Sequence, residues 1–339
     1  MRSRSQLTHI YQLGFHRHVD STCELTNADS TMSVDKTFTA FTAEQAAQYA
    51  VTRGGAYPPQ IYQAVLDFHH GKRKTFLDVG TGPGKVCWDL LPYFERGLGC
   101  DTSVEMIEQA KRDAAKRGVS EKTRFAVSGG EDCASILSAD EVGTVDLITV
   151  AMAVHWFDMP AFYASAAKAL APGGTLAIWT CSSYHCHPSV PNHEAIQAVL
   201  SDLEDNLLGP YMTPGNLLSR TAYETLALPW SIDGLPTLFE QEPFVRRDWD
   251  RGGIPSAERL ADGTPGPFIA QQKVSRARME GVLQSSGPLI RFREAHPDKA
   301  LTEHDPAVIA STRLRKLLGD EGELVIGPSC TLLLLRRQS

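Results

Sequence analysis

The stretch Lys74-Thr75-Phe76-Leu77-Asp78-Val79-Gly80-Thr81-Gly82-Pro83-Gly84 constrains this chain more than any other. An apolar run closes around an acid, and three glycines follow at alternate positions. That order predicts a buried strand, a tight turn and a helix from about Lys85. Glycine lets the turn take positive φ and lets a ligand approach the peptide plane with no Cβ in the way. The helix would direct its N-terminal amides at that ligand. The dinucleotide fingerprint is G-x-G-x-x-G; here the last glycine comes one place too early. The bland alternative is a strand–helix turn that binds nothing.

Downstream residues weigh against the bland alternative. Asp101 ends a second strand about twenty residues past the loop, where an acid can accept both ribose hydroxyls of an adenosine. It could instead only cap the next helix. Thr102-x-x-Glu105 reads as a capping box for a helix from Ser103 to about Arg117, with Gly118 as its C-terminal stop. Phe125-Ala126-Val127 is a short strand followed by the acids Glu131 and Asp132. Val145 to Ala151 is nearly all apolar, as a strand buried on both faces of a parallel sheet must be. A helix from Pro160 to about Leu170, a Pro172-Gly173-Gly174 turn and a strand from Thr175 to Thr180 complete the alternation. The fold expected is α/β, a doubly wound Rossmann-like sheet, mostly parallel, with an antiparallel last strand and an inserted cap.

The Asp-x-Gly-x-Gly-x-Gly spacing resembles the nucleotide-binding loop of class I S-adenosylmethionine-dependent methyltransferases. His155-Trp156-Phe157-Asp158, the Leu170-Ala171-Pro172-Gly173-Gly174 turn and Arg53-Gly54-Gly55-Ala56-Tyr57-Pro58-Pro59-Gln60-Ile61-Tyr62 look like the trans-aconitate methyltransferase branch, whose members are mostly fungal and bacterial small-molecule enzymes. That branch more often has proline directly after the arginine, where this chain has Gly54-Gly55. The likeness runs from about Phe38 to Thr180. It implies S-adenosylmethionine as cofactor, held by Asp78, Gly80, Gly82, Gly84, Asp101, Thr102 and Ala151, with Glu131 or Asp132 on the adenine amino group. Asp132 is slightly favoured of the two.

Composition narrows the partners. Across 339 residues the net charge is −7, with no basic stripe of the kind nucleic acid requires. No apolar run is long enough to span a membrane, and the closing Leu332-Leu333-Leu334-Leu335 reads as a buried strand. Seven scattered cysteines fit a reduced, cytoplasmic protein. Residues 1–36 read as a loosely tied extension, with a transit peptide as the other reading. Residues 37–71 are expected to form a helical lid, with helices over Thr42–Tyr49 and from Pro58-Pro59. The cofactor core is expected over 72–180. A cap and substrate region covers 181–300, with a return strand near 238–245 and a helix from about Phe268 to Leu283. Residues 301–339 hold a helix over Pro306–Leu318 and the last strand. Oligomeric state is not legible.

Methyl transfer from a sulfonium needs nucleophile, carbon and sulfur in line, so the protein supplies position and a dry cavity. A carboxylate acceptor needs no base, whereas an alcohol or phenol does. His155, after the fourth strand, is the titratable side chain there able to act as a base near pH 7; the competing reading is a structural histidine packed beside Trp156. Trp156 reads as a pocket wall. Tyr184 and His185, in Cys181-Ser182-Ser183-Tyr184-His185-Cys186-His187, are candidates to line the substrate site, and no second ligand pair supports a metal there. Arg53 could hold a carboxylate through its bidentate fork, with Tyr57 beside it; a surface ion pair is the alternative. Small-molecule O-methylation, with secondary metabolism as its setting, is the function expected. The competitors are nucleic-acid, protein or other N-methylation, and a methyltransferase fold that binds without transfer. Base-amine methylation commonly carries Asn/Asp-Pro-Pro-Tyr/Phe where this chain reads Ala151-Met152-Ala153-Val154.

Overall fold

The computed structural model describes residues 57–233, 238–284, 286–319 and 322–339, and at 276, 277 and 280 the backbone alone. Arg53, the helix expected over Thr42–Tyr49 and residues 1–36 lie outside the described residues.

Helix α1 (Pro59–Phe68) opens on its proline and buries Ile61, Tyr62, Ala64, Val65 and Leu66. The central sheet then forms from β1 (Thr75–Val79), β2 (Arg96–Asp101), β3 (Thr123–Val127), β4 (Val145–Ala151), β5 (Leu170–Cys186), β6 (Phe239–Trp249), β7 (Gln272–Ser275) and β8 (Glu323–Arg337). The order is β3-β2-β1-β4-β5-β8-β6, with β7 also on β8. Strands β1 to β5 pair in parallel, and β8 runs antiparallel to β5, β6 and β7. The crossovers include α2 (Lys85–Leu90), α3 (Val104–Arg117) and α4 (Met159–Ala169).

Strand alternation explains the apolar runs. Leu77, Val79, Ile148, Val150, Leu176, Ile178, Leu333 and Leu335 face one core, with Phe162, Tyr163 and Ala166 of α4. Phe76, Leu147, Ala151, Ala177, Trp179, Leu332 and Leu334 face the other, with α1, α2 and α3. Each fully buried leucine contributes about 1.5–3 kcal/mol, so a one-residue slip of β8 would exchange both faces at once.

Four local expectations change. Helix α3 is capped by Ser103, whose side chain accepts from the Met106 amide, and not by Thr102. Strand β5 does not stop at Thr180. It runs on to Cys186 because the antiparallel β8 supplies partners that its own sequence does not announce: Ser182 opposite Ser329, His185 opposite Gly327. The cap therefore begins on a continuation of a core strand. The helix expected from Phe268 is shorter: β7 occupies Gln272–Ser275, and α7 (Arg276–Leu283) starts after it. The return strand reaches Trp249.

The cap adds α5 (His193–Asp202), a π-helical turn over Leu203–Leu207, α6 (Pro214–Arg220), α8 (Gly287–Ala295) and α9 (Pro306–Leu318). It has apolar clusters of its own, one around Ile196, Leu200, Leu314 and Ile326, the other around Leu203, Leu289 and Phe292. No helix among the described residues is long and apolar enough to cross a membrane.

Candidate cofactor site and acceptor cleft

The loop after β1 turns on three left-handed glycines, Gly80, Gly82 and Gly84, with φ of 70°, 53° and 86°. They serve different ends. A Cβ on Gly80 would fall 2.4 Å from the Ala153 methyl, so Gly80 permits the β4 loop to pack. A Cβ on Gly82 would meet nothing within 4 Å. Gly82 is where the backbone lies bare to an incoming ligand.

The loop amides are already committed. Gly80 and Thr81 donate to the Cys100 carbonyl at 2.8 and 2.9 Å, and Gly84 donates to Thr81 at 3.0 Å. Gly82 donates to Asp101 Oδ2 at 2.9 Å, and Pro83 has no amide. No loop donor is left over for a phosphate, and α2 behind it is only six residues long. The committed loop amides do not form the pyrophosphate cradle of a dinucleotide site.

The charge at the site is negative. Asp78 is 1 % exposed; its Oδ1 accepts from Thr149 Oγ1 at 2.7 Å, while Oδ2 is buried with no partner. Burial, only partly offset by the Thr149 and Thr81 hydroxyls, pushes its pKa up to about 7. A buried carboxylate oxygen with nothing to bind is costly unless a ligand satisfies it. Asp101 Oδ1 accepts from the Ser103 amide at 2.9 Å; burial raises this carboxyl, against the pull of its amide donors. Asp101 therefore holds the loop onto β2 and keeps further lone pairs on both oxygens. These residues suit S-adenosylmethionine, a cation with an ammonium group, a ribose and no phosphate.

On the adenine side, the two acids differ. Glu131 Oε1 accepts from the Asp158 amide at 2.9 Å and so fastens the N-terminus of α4. Asp132 is exposed and makes no side-chain hydrogen bond to another described residue. Thr102 is exposed at the end of β2, and Ala151 is buried at the end of β4.

His155 sits on a short 3₁₀ turn after β4. Its Nδ1 lies 2.8 Å from the Tyr223 hydroxyl, and its ring centroid lies 4.7 Å from that of Trp156. Burial pushes its pKa down to about 3. At that value the ring is neutral at physiological pH. The cap presses on this turn: a Cβ on Gly215 of α6 would meet His155 O and the Trp156 ring at 2.6 Å.

A cleft of about 290 Å³ is lined among others by Tyr184, His185, Gln197, Glu204, Arg220 and Ser329. It lies on the extension of β5 and β8 beyond Thr180. Its wall includes Ala222, the residue before Tyr223, so the cleft and the His155 turn share one segment of the cap. Arg220 Nε lies 3.3 Å from Glu204, whose carboxyl is raised by burial. His185 Nε2 lies 3.0 Å from Ser329 Oγ, and burial lowers its pKa. Met152, Ser183, Ala222 and Tyr223 all hold positive φ without being glycine, and such strain concentrates at functional sites.

The site residues expected from sequence thus separate into two places. Tyr184 and His185 share the cleft. Tyr57 does not: its ring stands 5.5 Å from that of Trp179 and 5.7 Å from Lys85 Nζ, beside the glycine loop. Tyr223, Glu204, Arg220 and Ser219 carried no sequence signal. Ser219 Oγ lies 2.7 Å from Thr180 Oγ1, and the π-helical turn that includes Glu204 is visible only in the fold.

Residues 76–174 match the family model of a methyltransferase domain. Over these residues the chain is similar to methyltransferases that use S-adenosylmethionine. A 124-residue segment is 32% identical to the Saccharomyces cerevisiae protein named "Probable S-adenosylmethionine-dependent methyltransferase CRG1", covering 37% of this chain and 41% of that one. The match to "Methyltransferase cfoB" of Aspergillus candidus is 27% identical and covers 64% of this chain and 68% of the relative. The Escherichia coli tRNA 5-carboxymethoxyuridine methyltransferase is 28% identical over 48% of this chain and 63% of its own length. The chain spans about two fifths of the length of the yeast relative and of a Dictyostelium discoideum methyltransferase. A structure from Anaeromyxobacter dehalogenans, named as a type II methyltransferase, shares the fold with a TM-score of 0.58 at 21% identity, over 83% of this chain and 97% of that one. The match to the family model ends inside β5, and the cleft is built from residues beyond that point.

Proposed function

We propose that this protein transfers the methyl group of S-adenosylmethionine to an oxygen of a small polar metabolite, in secondary metabolism and in the cytoplasm, and that the acceptor oxygen is a carboxylate. The observation that carries the reading is the cleft whose wall includes Ala222, the residue before the Tyr223 that bonds His155. It has the size of a small-molecule site, and its Arg220, Glu204 and His185 suit a polar guest.

When bound, S-adenosylmethionine supplies an electrophilic methyl and a thioether leaving group. Asp78 would hold its ammonium, Asp101 its ribose hydroxyls and Asp132 its adenine amino group. Gly82 gives it an open approach. His155 and Trp156 form the wall where the acceptor meets the methyl. With the His155 pKa near 3 and Nδ1 occupied by Tyr223, His155 is not a base of ordinary strength. A carboxylate, already ionised, needs none. The acceptor's fit then depends on the cleft, where Arg220, paired with Glu204 and Asp205, would exchange one of these carboxylates for that of the acceptor.

The test is incubation of the protein with isotope-labelled S-adenosylmethionine and extracts of candidate metabolites, followed by mass spectrometry. A labelled small molecule that releases labelled methanol in mild alkali is the expected product, because methyl esters hydrolyse and methyl ethers do not. An alkali-stable product overturns the carboxylate assignment. Label in RNA supports the second reading, a nucleic-acid acceptor. The match to the tRNA enzyme favours that reading, and the net charge of −7 disfavours it.

A further inference from the structure

Six cysteines among the described residues are free thiols. Two of them face each other. Cys181 of β5 and Cys330 of β8 are register partners in the antiparallel ladder, and their Sγ atoms lie 3.0 Å apart. Other thiols point at hydroxyls: Cys87 at Thr81 Oγ1, 3.6 Å away, and Cys133 at Ser165 Oγ, 3.4 Å away. We infer that Cys181 and Cys330 are an oxidation site, closed to a cross-strand disulfide by a hydroperoxide and reopened by a thiol.

The backbone permits this without rearrangement. Directly opposed residues in an antiparallel pair have Cα atoms about 4.5–5.5 Å apart, within the roughly 4.4–6.8 Å range that disulfides span. The sulfurs need only approach from thiol contact to about 2.05 Å.

Access divides the roles. Cys181 is half-buried, whereas Cys330 is 1 % exposed. The contact with Cys181, and then burial, push the Cys330 thiol far up, so it stays protonated. The Cys181 thiolate attacks the distal peroxide oxygen. The O–O bond breaks, the other oxygen leaves as an alcohol (water, for hydrogen peroxide) after taking a proton, and Cys181 becomes a sulfenic acid. Cys330 sulfur then attacks the Cys181 sulfur. The S–S bond forms, hydroxide leaves and combines with the Cys330 proton as water. Each sulfur loses one electron, and the peroxide gains two.

The location gives the bond consequence. The Cys181 amide donates to Met152 Sδ at 2.9 Å, at the end of β4. The adjoining Ser182 donates to the Ser219 carbonyl at 2.8 Å, at the root of the cap. A covalent rung here would lock the seam from which the cofactor edge and the cleft both depart.

The experiment treats the full chain with hydrogen peroxide, alkylates remaining thiols, and maps peptides by mass. The expected result is loss of two hydrogens with a Cys181–Cys330 linked peptide, reversal by dithiothreitol, and a rise in Tm of about 5 °C for the oxidised form, from the long loop it closes. Cys133→Ser should keep the link and Cys181→Ser should lose it. Cys330→Ala should instead leave a Cys181 sulfenic acid that dimedone captures. If Cys330→Ala does not fold, dimedone capture at Cys181 during the first moments of wild-type oxidation serves the same purpose. Both cysteines alkylated after peroxide has consumed other thiols, oxygen added at Cys181 of wild type with no linked peptide, or linkage of either cysteine to a different one would overturn the proposal.

Discussion

The imidazole of His155 shares a 2.8 Å hydrogen bond with the phenol of Tyr223, two side chains 68 residues apart in the chain. Tyr223 is 2 % exposed and held by a left-handed backbone with φ of 58°. The pair ties the end of β4 to the cap, and on the proposed function His155 acts as a wall. At saturating cofactor, turnover should show no fall between pH 8 and pH 5.5 that traces to His155, since its pKa is about 3. His155→Gln should raise KM, with a change in kcat below about tenfold. A 10²–10⁴-fold loss of kcat, with an apparent pKa of 6–7 in the wild type only, restores general-base catalysis.

Asp78→Asn should make the protein more stable and a poorer binder. The native pKa of about 7 lies above the ordinary value, so between about pH 4 and 7 the folded state holds a proton that the unfolded state has released. Stability conferred by that proton is complete below pH 4 and is lost as pH rises through 7. Removing the charge should therefore add on the order of 4 kcal/mol above pH 7 and nothing below about pH 4. Denaturant melts at pH 4 and 8 check this. An equal effect at both pH values contradicts the assignment.

The same residue predicts the pH dependence of cofactor affinity. A cationic ligand favours ionised Asp78, so binding should expel a proton near pH 7. Affinity for S-adenosylmethionine should climb from pH 6 to 8 and then level off. Calorimetry in buffers of different ionisation enthalpy counts the proton, and Asp78→Asn should abolish both the proton release and the slope.

His155 opposes Asp78 in the stability profile. Its native pKa lies below the ordinary value, so stability falls as pH drops below about 6.5, where the unfolded state protonates first. From about pH 4 to 6.5 the two slopes cancel. Asp78→Asn should expose the histidine slope there, and His155→Gln in that background should remove it. Urea melts at pH 4.5, 5.5 and 6.5 on the three proteins read the difference directly.

Gly80→Ala and Gly82→Ala should fail in different ways. The first puts a methyl 2.4 Å from Ala153 at positive φ, and should cost about 2–4 kcal/mol of stability. The second meets no protein atom within 4 Å and should cost only about 1–2 kcal/mol for its backbone. Cofactor affinity should nonetheless fall tenfold or more in folded Gly82→Ala, on the order of 1.4 kcal/mol. Titration calorimetry that finds wild-type affinity there places the ligand elsewhere.

How far a stretch could be read in advance depends on where its partners lie. The apolar run of β1, the glycines and Asp101 are one local unit, and β4 and β5 declare themselves by burial on both faces. Those regularities were legible because strand burial and turn chemistry are written in neighbouring residues. The capping choice at α3 was not, since Asp101 takes the Ser103 amide for itself and Ser103, not Thr102, turns to the helix.

Sequence alone determined the doubly wound sheet, the cofactor-type loop and the acids around it, because each rests on contacts within a strand–turn–helix. Tertiary structure decided the rest. The last six residues of β5 are a strand only because β8, some 150 residues on, gives them hydrogen-bond partners. That extension carries Tyr184 and His185 into one cleft with Arg220 and Glu204. The basicity of His155 depends on burial under Trp156 and Tyr223, and desolvation is a property of the packed molecule. No residue type or spacing encodes it.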